Sequence, residues 1–139
     1  MEEKYYIGIP EIDAQHEEIS DLVASLRAVL GNPERRRLVD QSLKRLYQLL
    51  MTHFEFEESM MSMVRHQDLP QHKKMHGGVL KLFTDYFAHP PEPETYAGFV
   101  SLLAEKVLGH IMDHDVPMTA QIKSYLPTLQ GTAKKGSAR

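Results

Sequence analysis

Residues 51–61 read MTHFEFEESMM. Leu43, Leu46 and Leu50 lead into this stretch, and Met60 and Val64 lead out of it, at steps of three and four. That spacing is the signature of an amphipathic helix with one face turned to a core. The same stripe runs through His53 and Glu57, so an imidazole and a carboxylate stand where apolar side chains are due. The reading of the chain turns on what could make those two residues acceptable inside.

The pattern repeats on both sides. Residues 1–12 read as an irregular arm, with Gly8 and Pro10 breaking any helix, and Asp13 is placed to cap a first helix. Its stripe is Ile12, His16, Ile19, Val23, Leu26 and Leu30. Gly31-Asn32-Pro33 ends it and opens the second helix, with Asn32 as cap and Pro33 at the first helical position. A third helix begins at Leu69-Pro70 and carries His72, His76, Val79, Leu80, Phe83 and Phe87 on its stripe. HPPEPE (89–94) is a rigid connection to a fourth, with Tyr96, Val100, Leu103, Val107 and His110. Pro117 lacks a backbone donor and is expected to bend or end that helix, with a short C-terminal helix over 118–126. No segment alternates like a strand. The expected architecture is all-α, an up-down-up-down four-helix bundle over residues 1–126, with a polar, disordered tail at 127–139. Gly77-Gly78 directly follows His76 and weakens a helix interior by roughly 1 kcal/mol relative to alanine. Close helix packing is the reading taken, with a channel beside the histidine as the alternative.

Composition excludes several function classes. The chain of 139 residues is long enough for one domain, and its net charge of −3 offers no basic face for nucleic acid. The densest basic cluster, Arg35–Arg37, reads as a solvated helix surface. No run of eighteen apolar residues is present to span a membrane. The acidic start MEEKYYIGIP has no apolar signal core, and the expected location is cytoplasmic. Without cysteine there are neither disulfides nor thiolate metal sites.

A single histidine on an apolar face is ordinarily a hydrogen-bonded core residue. Here every helix carries at least one: His16, then His53 with Glu57, then His72 and His76, then His110 with Asp115 just beyond. The i, i+4 spacing of His53/Glu57 and His72/His76 puts both members of each pair on one face. Each such group, buried without a partner, would cost roughly 1–3 kcal/mol, a sum comparable to the stability of a whole domain. Metal ions compensate directly, since imidazole suits iron, copper, nickel and zinc and a carboxylate can join two ions. Seven candidate donors exceed the need of one ion, which argues for two. The fourth helix is ambiguous. His110 and Asp115 would point about 140° apart on a regular helix, and His114, at i+4, aligns better with His110. A distortion at Pro117 is one way to turn Asp115 inward.

These pieces resemble the hemerythrin family, in particular its single-domain bacterial members. The matching segments are IDAQH ending at His16, HFEFEESMM from His53, HKKMH at 72–76 and HIMDHD at 110–115. They form H…HxxxE…HxxxH…HxxxxD in order, across nearly the whole chain except its tail. The resemblance implies a non-haem centre of two iron ions with an oxo or hydroxo bridge, binding O2 reversibly. It assigns His72, His76 and His110 to one iron and His16 and His53 to the other, with Glu57 and Asp115 shared. It makes Asp115 the ligand and His114 a bystander, and leaves His66 and His89 solvated. Leu50, Val107 and Ile111 flank the ligands on the same stripes and are the expected walls of an O2 pocket. Relatives often carry tryptophans near the N-terminus and four residues before the last metal-binding histidine; this chain offers Tyr5 or Tyr6, and Lys106.

The resemblance implies a binding protein for O2 storage, delivery or sensing rather than an enzyme, with weak oxidase or peroxidase activity as a side reaction. Sensing would require a separate protein partner, for which Met60, Met61 and Met63 are an adaptable surface if they are not core. The rival class is a di-iron enzyme reducing O2, peroxide or nitric oxide, or an iron-donating repair protein. Ferritin-like oxidases use paired Glu-x-x-His motifs, and none occurs here. A structural zinc site would leave donors unused.

Overall fold

Pro10 starts the first helix instead of blocking it. α1 spans Pro10–Val29, about a turn earlier than a cap at Asp13 would give. Proline is suited to the first helical position, where its fixed φ is already helical and its missing N–H would have no partner. Ile9 precedes it in extended conformation and makes no side-chain cap. Asp13 reaches back, its Oδ2 accepting from the Gly8 N–H at 3.0 Å. Gly8 holds φ 85°, a left-handed conformation that glycine adopts without steric cost. The computed structural model describes residues 6, 8–118, 120–122 and 124. Most of the N-terminal arm and the tail at 127–139 lie outside the described residues.

Asn32 caps as its sequence suggests, its Oδ1 accepting from the Glu34 N–H at 3.0 Å. A single 3₁₀ turn, Pro33–Arg35, then feeds α2, Arg36–Met63. Arg36 is not simply solvated: its guanidinium lies 4.4 Å from the centre of the Tyr96 ring and donates to the Pro91 carbonyl at 2.8 Å. It fastens the α3–α4 connection to the start of α2. At its far end α2 closes in a Schellman turn, with the His66 N–H on the Met61 carbonyl at 2.8 Å. The left-handed residue of that turn is Arg65, φ 53°, where glycine would be usual. α3 (Leu69–Ala88) and α4 (Pro93–His110) each carry a proline in their first turn.

Successive helices pack against each other, and α4 returns to α1, which closes an all-α up-and-down bundle. No strand occurs among the described residues, and no helix there is long and apolar enough to cross a membrane. The expected stripes form the core, from Ile19 and Val23 through Leu43, Leu46 and Leu50 to Val100, Leu103 and Val107. Some positions differ: Leu30, Val79, Leu80 and Phe87 are only partly buried. Met61 is fully buried while Met60 and Val64 are only half-buried, because the Schellman turn and the segment after α4 cover that side. Met61, Met118 and Ile122 form a small second cluster there. Phe54 and Tyr86 are buried beside the stripes, and the Tyr86 hydroxyl donates to Asp40 at 2.6 Å. Gly77 and Gly78 do not serve close packing, since a Cβ at either would meet nothing within 4 Å. His66 is half-buried and bonded to Gln121 at 2.9 Å, whereas His89 is exposed.

Candidate metal centre

The fourth helix changes pitch where the sequence left two choices. α4 is regular to His110, and Ile111–Asp115 then form a π turn in which the Val116 N–H reaches the Ile111 carbonyl. A π turn holds one more residue per hydrogen-bonded ring than an α turn, so i and i+5 align much as i and i+4 otherwise do. Asp115 therefore swings onto the face of His110 and is fully buried, while His114 is exposed. Pro117 does not end the helix; residues 116–118 continue it. The extra residue is absorbed just before the proline, where the α ladder would in any case lack a donor.

With that turn in place, four helices deliver five imidazoles and two carboxylates to one point in the bundle. His16, His53, Glu57 and Asp115 are completely buried, and His76, His72 and His110 nearly so. The donor atoms fall into two groups, His72, His76, His110 and Asp115, and His16, His53 and Asp115, each able to hold a metal ion. Asp115 belongs to both. Its Oδ2 is 3.0 Å from His53 Nε2, and its Oδ1 is 2.9 Å from His110 Nε2, 3.7 Å from His72 and 3.9 Å from His76. Glu57 Oε1 likewise lies between the groups, 3.1 Å from His53 Nε2 and 3.6 Å from His76 Nε2.

The outward nitrogens of two of these histidines are tied down. His53 Nδ1 is 2.7 Å from Gln15 Oε1, and His76 Nδ1 is 2.8 Å from Glu58 Oε2. Each acceptor holds a proton on Nδ1 and so leaves the Nε2 lone pair facing the cluster, the arrangement that sets the tautomer of a metal-binding histidine. Phe54 lies parallel to the His76 ring, 3.8 Å between centres, meets His110 edge-on, and meets His53 at a tilt of 45°. Gln15, Glu58 and Phe54 were not singled out in the sequence. The only signal for the first two was the rule that every ligand imidazole needs a second partner.

Electrostatics without a metal are unfavourable in an informative way. Burial would depress His53, but the carboxylates of Glu57 and Asp115 outweigh it and push the imidazole up to about 10. Burial also opposes charge on His76, yet Asp115, Glu58 and Glu57 raise it. Burial and the nearby Asp115 raise Glu57, against the pull of His53. Asp115 overcomes its own burial and is held well below the carboxylate range by the surrounding imidazoles. Even so, among the described residues no aligned hydrogen bond reaches either oxygen of Glu57 or Nε2 of His72, His76 and His110. Buried lone pairs that converge with no donor between them are costly unless a cation takes that place. Nitrogen and oxygen donors without thiolate suit a divalent transition metal. The donor set therefore fits a metal, with Asp115 common to both groups of donors and Glu57 within 3.6 Å of a histidine from each.

Leu50, Val107 and Ile111 are all buried in the apolar core that also holds Phe54. Lys106 is exposed and lines a recess that reaches His110.

Comparison with known proteins gives an independent view. The model of the hemerythrin HHE cation binding domain matches residues 7–118. A protein of Stenotrophomonas maltophilia (strain R551-3) named Bacteriohemerythrin is 26% identical over 121 residues, covering 86% of this chain and 78% of that protein. No solved structure matches the chain.

Proposed function

The chain belongs to the hemerythrin family, and from that premise we propose that its buried cluster holds two iron ions with an oxo or hydroxo bridge and binds O2 reversibly. The observation that carries the reading is the pair of donor groups meeting at Asp115, one with three histidines and one with two. An unequal pair leaves one ion short of a ligand, and that ion is where O2 would sit, beside His16 and His53. The resemblance to a protein named Bacteriohemerythrin supports the same choice of ligand.

Bound iron supplies the electrons and the open position that O2 needs; the residues do the rest. Five neutral imidazoles hold the ions without adding charge, and Glu57 and Asp115 offset part of the positive charge in a largely buried site. Gln15 and Glu58 keep Nε2 of His53 and His76 aimed inward by holding the proton on Nδ1. Phe54 blocks water from the side of α3 by lying flat on His76. Leu50, Val107 and Ile111 would line the O2 side, where apolar walls prevent a bound ligand from being protonated and lost. Reversibility depends on that dryness, since a wetter site would turn binding into oxidation.

The test is metal stoichiometry after anaerobic loading with ferrous iron. The full chain should take two irons, and Glu57→Ala should fail to hold the pair because one of its two shared carboxylates is gone. His114→Ala should load like the parent. Full loading of Glu57→Ala, or loss of an iron in His114→Ala, would contradict the ligand assignment.

A further inference from the structure

The cluster has a fixed side and a loose side. Four of its seven residues are wholly buried, and its least covered edge is His72 and His110, at 5% and 7% exposure. His53 and His76 are locked through Nδ1, but among the described residues no hydrogen bond reaches Nδ1 of His72 or His110. Two recesses open on these two histidines. One, of about 280 Å³, reaches His72 and is lined with polar groups that include His66, Asp68, Asp113 and His114. The other, of about 590 Å³, reaches His110 between α3 and α4, and Asp113 and His114 line it too. The π turn causes this overlap: as it turns Asp115 inward, it leaves Asp113 and His114 exposed at both mouths.

We propose that the recess over His72, with Asp68, Asp113 and His114 among its lining residues, is the port through which a hydrated divalent cation reaches the cluster, with those three as its transient ligands. The inference rests on the metal-binding reading above. A hydrated cation must exchange water for protein donors before it passes a nearly closed wall. Carboxylates and an imidazole at the rim supply those donors, and an O2 molecule has no use for them. His72 is more than nine-tenths buried, lines the recess, and has no hydrogen bond to Nδ1 among the described residues. Its outward nitrogen is therefore not tied down as that of His76 is by Glu58, and only its 3.7 Å ion pair with Asp115 holds the ring. The port also gives a role to His114, which lies outside the ligand set, four residues after His110 and next to Asp115.

The experiment measures the rate at which the metal-free full chain takes up ferrous iron under anaerobic conditions, by trapping the free ion with a chelator at timed intervals. Asp113→Asn/His114→Ala and Asp68→Asn change exposed side chains, so the fold is kept, and Glu18→Gln on the distant face of α1 controls for net charge. Uptake should slow roughly tenfold in the rim variants, the low end of what a charged mouth contributes to an association rate. It should lose most of its salt dependence, and the final iron content should equal that of the parent. Glu18→Gln should match the parent throughout. An unchanged rate in the rim variants, or an equal slowing in Glu18→Gln, overturns the port. A lower final iron content in the rim variants also overturns it, because those residues would then be ligands of the resting site. Failure of the parent chain to take up iron at all would instead defeat the metal-binding reading itself, and the port with it.

Discussion

Replacing Phe54 with alanine should cost more than any other single truncation beside the cluster. The ring is 2% exposed, belongs to the main core, and covers His76 face to face while meeting His110 edge-on and His53 at a tilt. Truncation of a buried phenylalanine costs about 3–5 kcal/mol in lost transfer energy and residual cavity. The total stability of a domain is about 5–15 kcal/mol, so the metal-free variant should sit near the edge of folding. With roughly 4 °C per kcal/mol for a chain of this size, its Tm should fall by about 12–20 °C. Phe54→Leu separates filling from stacking. Leucine occupies most of the space, which limits the packing loss to under about 1.5 kcal/mol, and it forfeits a ring–ring contact of about 0.5–1.5 kcal/mol. Scanning calorimetry of the metal-free parent and both variants gives the comparison, and iron loading of each shows whether the ligands hold their positions. A loss below about 1 kcal/mol for Phe54→Ala would mean that the ring neither fills the core nor braces the histidines, and the account of this wall would be wrong.

Three further outcomes follow from the geometry. His53 is raised to about 10, so in the metal-free chain its contribution is fully present below pH ~6.5 and is lost as pH rises toward 10. Asp115, held low, adds stability above its ordinary range that is lost on acidification, so the metal-free Tm should peak at mildly acidic pH. Iron needs deprotonated imidazoles, so the Tm gap between loaded and metal-free protein should widen from pH 6 to 8.5; a constant or narrowing gap would refute the coupling. Glu58→Leu removes the acceptor from His76 Nδ1 and should weaken iron binding about 10–100-fold in chelator competition, with Glu58→Gln recovering most of it. Arg65→Gly relieves a left-handed residue in the Schellman turn and should raise the unfolding free energy from denaturant titration by about 0.5–1 kcal/mol; a fall would show that the arginine side chain matters more than its backbone.

The bundle was legible because apolar spacing is a local property. Leu43, Leu46 and Leu50, or Val100, Leu103 and Val107, state a helical face whatever surrounds them. The candidate cluster was legible for the opposite reason: His53, His72 and His76 break those faces at helical steps. What was hidden depended on departures from ideal geometry. A regular helix aligns His114 with His110, and only the π turn before Pro117 brings Asp115 inward. Pro10 read as a breaker and is the first residue of α1, since a proline that stops one helix from behind starts the next one from the front. The burial of Met61 over Met60 follows from the segment around Met118 and Ile122, which periodicity on α2 does not register. Gln15 and Glu58 are ordinary surface-type residues by sequence, and their role emerges only when the ring nitrogens of His53 and His76 have positions. The glycine pair after His76 faces open space, where helical spacing had suggested a close neighbour.

Under the proposed function, this cluster would carry O2 on two irons and let it go. The direct measurement is the optical spectrum of the iron-loaded chain through a cycle: reduced without oxygen, exposed to air, then returned to an oxygen-free atmosphere. Reversible O2 binding gives a nearly colourless reduced form, a coloured form in air, and recovery of the first spectrum when oxygen is withdrawn. Immediate and irreversible oxidation in air, with two irons still bound, would contradict it and make the protein a di-iron enzyme or an iron-handling protein instead.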